Sequence, residues 1–284
     1  MNVRLWGTRG SVASPGPDTA SYGGNTACVE VRGNRGTVIV LDAGTGIRPL
    51  GANLPDSLRR VDVLLTHLHM DHIQGLGFFQ PLYDERMEVH IWGPASTTLR
   101  LEERLRRYLS PPLFPVRLRE LACHLKTHEV PCGDFEIGEF RCSSALVCHP
   151  GPTVGFRLET TEGTLAYIPD HEPALGRERF PVEAKWTSGY DLAAGVDLLI
   201  HDAQYTSDEY PRYRGWGHSS FDDVLRFTEL VGAKHLVAFH HDPAHTDGDL
   251  DRLLRLPTRK LPFRLSGGKE GAEFILGKSD EIDA

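Results

Sequence analysis

An α/β fold, with sheets sandwiched between helices, follows from three features of the chain. Short β-branched runs recur along most of its length, separated by Gly and Pro. Stretches with helical leucine spacing fall among these runs rather than after them. The 284 residues are 40% hydrophobic and 25% charged, enough to bury a substantial core. No internal repeat or low-complexity linker divides them, so one domain is expected over residues 1–284.

Taken in order, strands are expected in TVIVLDAGTG (37–46), VDVLLTH (61–67) and MEVHIWGP (87–94). A helix follows over Ser96–Leu109, with Ser96 as N-cap and a solvated face built from Arg100, Arg104, Arg106 and Arg107 with Glu102 and Glu103. Ser110–Val116 holds three prolines and reads as an ordered loop, suited to a pocket lid or a homodimer contact. Strands resume in VGFRLET (154–160), TLAYIPD (164–170) and VDLLIHDA (196–203). A helix over Ser219–Ala233 ends at Gly232, the run KHLVAFHHDP (234–243) supplies another strand, and Asp247–Leu256 a last helix.

Bulk properties narrow the function. A net charge of -8 offers no general attraction for nucleic acid. No apolar run is long enough to span a membrane, and MNVRLWGTRGS lacks the apolar core of a secretory signal. Cys28, Cys123, Cys132, Cys142 and Cys148 form no CxxC pair, so reduced thiols and a cytoplasmic location are expected.

Chemically potent residues gather at the carboxyl ends of the expected strands: His67, Asp170, the pair His201 and Asp202, and His240. Loops leaving such ends are where binding groups converge. The densest group is HLHMDH, residues 67–72. His67 and His69 lie two apart and project to one side of an extended segment, while Asp71 and His72 fall at the turn that follows. Imidazole with carboxylate is a donor set for zinc, manganese or iron rather than magnesium or calcium.

THLHMDH resembles the HxHxDH signature of the metallo-β-lactamase superfamily. His149 in CHPGP, Asp170 in AYIPDHE and His240 in AFHHDP resemble its later ligands, so the likeness covers nearly the whole chain. The resemblance implies a four-layer αββα sandwich with two divalent metal ions, zinc being preferred. His67, His69 and His149 would hold one ion, Asp71, His72 and His240 the other, with Asp170 bridging. His171 and His241 each follow an expected ligand, and His241 is the alternative to His240 if the register slips. His90, His124, His128 and His235 read as structural or exposed, and His245 as a candidate for the pocket rim. Asn25 or Thr26 is a candidate for the pocket itself.

Two further segments point to one branch of that superfamily. LLIHDAQYT (198–206) resembles the HEAT-type segment of tRNase Z and related phosphodiesterases, and GHSSFDDVLRF (217–227) their GHSTAxxA helix start. By that resemblance Asp202, where the family commonly has Glu, pairs with His218, which protonates the leaving oxygen. Asp71 completes the expected catalytic set. The bland alternative makes His218 a helix cap and Asp202 a loop anchor. The implied activity is that of a dinuclear phosphodiesterase for small or cyclic phosphodiesters. Its rivals are tRNA 3′ processing, lactone or thioester hydrolysis, and a non-catalytic metal-binding scaffold. Against tRNA, only 21 positions separate His149 from Asp170, too few for the long arm of bacterial-type tRNase Z. Ala244 and His245 stand where that family has a cationic side chain.

Overall fold

The computed structural model describes residues 1–173, 180 and 183–277, without the side chain of Lys185. The strands are β1 (Asn2–Gly7), β2 (Cys28–Arg32), β3 (Val38–Leu41), β4 (Arg60–Leu64), β5 (Glu88–Pro94), β6 (His124–Val130) and β7 (Gly133–Ile137). There follow β8 (Phe140–Leu146), β9 (Val154–Thr160), β10 (Gly163–Ile168), β11 (Leu198–Asp202), β12 (His235–Phe239), β13 (Arg264–Gly267) and β14 (Glu273–Ile275). They form two seven-stranded sheets, ordered β14-β1-β2-β3-β4-β5-β6 and β13-β12-β11-β10-β9-β8-β7. In each sheet, one flank is antiparallel and the other, β3 to β6 and β10 to β13, is parallel.

Two-residue periodicity makes the layers. Ile39 and Leu41 point into the core between the sheets, where they join Phe156, Leu158, Tyr167, Ile200 and Val237 from the second sheet. Val38 and Val40 point the other way, into a second core shared with α1 (Ile47–Ala52) and α3 (Leu101–Tyr108). The outer face of the second sheet is covered by α4 (Tyr190–Ala193), α6 (Phe221–Val231) and α7 (Asp247–Arg255). Helix, sheet, sheet, helix is the expected αββα sandwich. Two short α-helical turns, α2 (Met70–Ile73) and α5 (Tyr210–Tyr213), come next in the chain after β4 and β11.

Two expectations need correction. The helix expected from Ser96 begins at Leu101: Arg100 is its N-cap residue, and the Glu103 carboxylate accepts the Arg100 backbone N–H at 3.0 Å. The Ser96 hydroxyl turns instead to Thr98. Among the four arginines of this helix, Arg104 is not purely solvated, since it donates to the Pro94 carbonyl. Strands β6 and β7 lie at the sheet edges, where mostly uncovered sequences such as HLKTHEV carry no apolar run to betray them. The other two helix ends fall where capping chemistry places them. Ser220 accepts from Asp223 N, Thr246 accepts from Asp249 N, and Gly232 closes α6 at φ 66°.

Candidate metal centre

The centre lies where the parallel strands of both sheets end. Beyond β4 the chain stays extended through His69 and then turns into α2, which puts the His67 and His69 rings on one side, 4.4 Å apart. Asp71 and His72 come from the first turn of α2, Asp170 from just beyond β10, and His240 from just beyond β12. His149 enters from the segment between β8 and β9. The stretch from His149 to Asp170 holds only the β9–β10 hairpin.

Donor atoms of His67, His69 and His149 lie within 4.8 Å of one another, and so do those of Asp71, His72, Asp170 and His240. Asp170 reaches both groups: its Oδ2 is 2.9 Å from His72 Nε2, and its Oδ1 is 3.3 Å from His240 Nε2 and 3.8 Å from His149 Nε2.

Most of these rings are held by the nitrogen that faces away. His72 Nδ1 donates to Asp42 Oδ2 at 2.8 Å, and His149 Nδ1 to the Gly217 carbonyl at 2.8 Å. His240 Nδ1 donates to Gln204 Oε1 at 3.0 Å. Thr66 gives its hydroxyl proton to Asp42, so its oxygen accepts from His67 Nδ1 at 3.1 Å. Each of these four rings therefore turns Nε2 inward, and outer partners of this kind fix the tautomer of a metal-binding histidine. His69 is the exception, with its Nδ1 toward the centre, 3.2 Å from His149 Nε2.

The residues fit a divalent cation. Asp71 and Asp170 are 6% and 2% exposed, and among the described residues no Lys or Arg pairs with either. Among the described residues buried His67 Nε2 has no hydrogen-bond partner, and Asp170 Oδ2 has none beyond the His72 ring 2.9 Å away. Unpaired carboxylates and orphaned acceptors in a dry site are costly unless a cation satisfies them. Burial, then the neighbouring His72, push the His67 pKa well down, leaving a neutral ring with a free lone pair. Asp71 and Asp170 are held far below the usual carboxylate range, because the neighbouring histidines outweigh the burial that opposes it.

Beside this cluster His218 donates Nδ1–H to Asp202 Oδ2 at 2.8 Å and lies 3.8 Å from Asp170 Oδ1. Burial works against charge on His218, but Asp202 and the further carboxylates raise its pKa to about 9. Asp202 also accepts from the backbone N–H groups of His171 and Gln204, at 3.0 Å each. Ser220, not His218, caps α6.

The adjacent histidines separate cleanly. His241 Nε2 donates to the Gly268 carbonyl at 2.9 Å, away from the centre, whereas a His240 donor atom lies in the cluster with Asp71, His72 and Asp170. His171 Nδ1 meets His201 Nε2 at 2.9 Å, behind Asp202. His245 is buried against Glu209, at 3.0 Å. Of the other candidates, Asn25 binds Glu270, and Thr26 accepts the Thr45 N–H. The cysteines are all free, three of them buried, with Cys132 exposed and Cys148 between.

Sequence reasoning missed Asp42 and Gln204. Asp42 closes β3 at φ 60°, where its carboxylate also accepts from Thr66 N and the Tyr167 hydroxyl. Its place just beyond an apolar strand is the same signal that marked His67, but the run expected as a strand over 37–46 takes Asp42 in as one more strand residue. Gln204 had no comparable signal. His240 shares the left-handed backbone, at φ 58°, strain that L residues carry chiefly where the surroundings enforce it.

The family described as the β-lactamase superfamily domain matches residues 37–241. Ribonuclease BN of Erwinia tasmaniensis is 24% identical over 89% of this chain and 93% of its own length. Human tRNase Z, short form, superposes with a TM-score of 0.68 at 20% identity, covering 97% of this chain and 99% of its own. A diphosphatase from the PhnP family superposes with a TM-score of 0.67 at 17% identity, covering 98% and 99%. No helix among the described residues is long and apolar enough to cross a membrane. Sandwich, histidine–carboxylate cluster and family match agree: the chain belongs to the metallo-β-lactamase superfamily, as a hydrolase of that fold.

Proposed function

We propose that the protein is a dinuclear metal-dependent phosphodiesterase acting on small or cyclic phosphodiesters. His67, His69 and His149 would hold one ion, Asp71, His72 and His240 the other, with Asp170 shared and zinc the preferred metal. Bound there, such ions neutralise charge on phosphoryl oxygens and make water nucleophilic near neutral pH.

The observation that carries the reading is the His218–Asp202 pair beside the shared carboxylate. Asp202 accepts from Nδ1, which orients the His218 ring, and its carboxylate favours the protonated form of that ring. Donating the Nε2 proton to the departing oxygen lets an alkoxide leave as an alcohol, the step that bound cations alone serve poorly. The Asp202 carboxylate is itself held in place by two backbone N–H groups.

The names of the relatives, ribonuclease BN, ribonuclease Z and a diphosphatase, support phosphoester chemistry over lactone or thioester hydrolysis. The short β9–β10 hairpin and the engagement of His245 with Glu209 favour a small substrate over precursor tRNA. The test is a panel on metal-loaded protein: 2′,3′- and 3′,5′-cyclic nucleotides, a chromogenic phosphodiester, a lactone and a precursor tRNA. Turnover of the phosphodiesters above the lactone is expected. Site-specific removal of a tRNA 3′ trailer with no cyclic-nucleotide turnover would replace this reading with tRNA processing.

A further inference from the structure

Just before His218 the chain reads PRYRGWG, residues 211–217, with two guanidinium groups and two aromatic rings that the metal centre does not use. Its backbone is firmly tied. The buried Glu172 carboxylate accepts from the Tyr210 hydroxyl at 2.6 Å and from Gly215 N and Gly217 N at 2.9 Å each. Gly217 needs its positive φ of 90° and its missing Cβ, which would fall 2.6 Å from His149 Nδ1. The same glycine accepts that nitrogen's proton. This segment is thus fixed to a metal-centre ring at one end and leads directly into His218.

A line of rings runs outward from the centre. The His218 ring meets Tyr205 edge-on at 5.9 Å, Tyr205 stacks on Tyr213 at 4.6 Å and 11°, and Tyr213 meets Trp216 edge-on at 5.4 Å. Tyr205 is buried and Tyr213 half-buried, but Trp216 is 61% exposed. An indole held out in water on a rigid turn gains little from the core. Exposed Arg212 and Arg214 flank it, and among the described residues neither has a salt bridge; the Arg214 guanidinium lies 5.9 Å from the Tyr210 ring centre. In a chain of net charge -8, two unpaired cations around an exposed indole form a local site for a flat, anionic ligand.

We infer that Trp216, Arg212 and Arg214 form a subsite for the nucleobase and an additional phosphate of a nucleotide-type phosphodiester, with the base stacked on the indole. The inference rests on the proposed phosphodiesterase activity and narrows its substrate class. The base comes from a cyclic mononucleotide or from the end of an RNA chain.

Adenosine 2′,3′-cyclic phosphate is compared with the base-free methyl riboside 2′,3′-cyclic phosphate, in wild type, Trp216→Ala and Trp216→Phe. The ratio of their kcat/KM values should fall about 10-fold in Trp216→Ala and largely recover in Trp216→Phe, as expected for one base–aromatic stack. Intrinsic fluorescence gives a readout apart from turnover: 5′-AMP should quench the wild type, ribose 5-phosphate should not, and Trp216→Phe should lose the response. An unchanged ratio together with equal AMP responses in wild type and Trp216→Phe would overturn the subsite. A Trp216 signal that follows protein concentration instead of AMP would also overturn it, assigning the indole to a contact between copies. AMP quenching in a protein that hydrolyses no phosphodiester would sink the proposed activity while keeping the subsite. Cleavage of a short RNA with the same Trp216→Ala penalty would keep the subsite and assign its base to RNA.

Discussion

Two regions of this molecule collect histidines, and only one of them resembles a metal centre. On neighbouring strands of the first sheet, His90 Nε2 donates to Glu88 at 2.8 Å, so its Nδ1 accepts from His128 Nε2 at 3.1 Å. The His128 ring stacks on Trp92 at 4.0 Å, and Trp92 Nε1 donates to Asp62. Every polar atom there that points inward finds a partner within the sheet. At the strand ends, hydrogen bonds are used up on the outward ring nitrogens, and the inward ones face each other and two buried carboxylates. Counting histidines would not separate the two regions. Direction does, because mid-strand rings meet the ladder, whereas rings beyond a strand end converge on the space between two sheets.

The sharpest way to break this contrast is Asp170→Ala. Among the described residues Asp170 is the one carboxylate within reach of both donor groups, so its removal should lower the content of both metals and reduce kcat on the order of 10^4-fold. His67→Ala should mainly empty one position. Elemental analysis of the two purified variants decides this. Loss of the same single ion from each would remove Asp170 from its shared role.

His218 should matter next, and selectively. Removing it should slow cleavage of an alkyl phosphodiester about 10^2- to 10^4-fold, and a nitrophenyl ester far less, because nitrophenolate departs without a proton. Asp202→Asn should copy the pattern more weakly, since it leaves the ring but weakens its charge. Equal slowing of both substrates with metal retained would return the pair to a purely structural role.

Much of this was legible in the sequence. HLHMDH, His149, Asp170 and His240 could be read from residue type, from position after apolar runs and from family resemblance, and the structure brings their donor atoms together. What could not be read is the layer that aims them. Asp42 and Gln204 lie 30 and 36 positions from the histidines they hold, and nothing local marks such a pairing. Edge strands β6 and β7 were invisible for a related reason: periodicity reports burial, and these strands bury little.

The outer layer gives a smaller, sharper test. Gln204→Leu removes the acceptor of His240 Nδ1–H, freeing the ring to change tautomer, while keeping side-chain bulk. Metal affinity at one position should fall about 10- to 100-fold, the usual cost of losing such a partner. A competitive chelator titration measures it, and an unchanged binding curve would show that the strained His240 backbone suffices to aim the ring.

The smallest effect belongs to the other histidine region, where His128→Phe should touch stability and nothing else. Burial, then the neighbouring His90, lower the His128 pKa in the fold, so the ring is neutral there while an unfolded chain takes up a proton below about pH 6.5. A pKa depressed by folding gives stability that is complete above that pH and is lost as pH falls toward the folded value. Phenylalanine keeps the stack on Trp92 but cannot be protonated, so the variant should lose less stability between neutral and mildly acid pH. At neutral pH it should melt lower, by about 2–4 °C for each kcal/mol of lost hydrogen bonding to His90. Metal content and kcat should match the wild type, because no atom of this pair faces the centre. Thermal melts of the metal-loaded protein at several pH values, with elemental analysis alongside, test both halves. A drop in bound metal would mean that the two histidine regions are coupled through β5, and the contrast between them would fail.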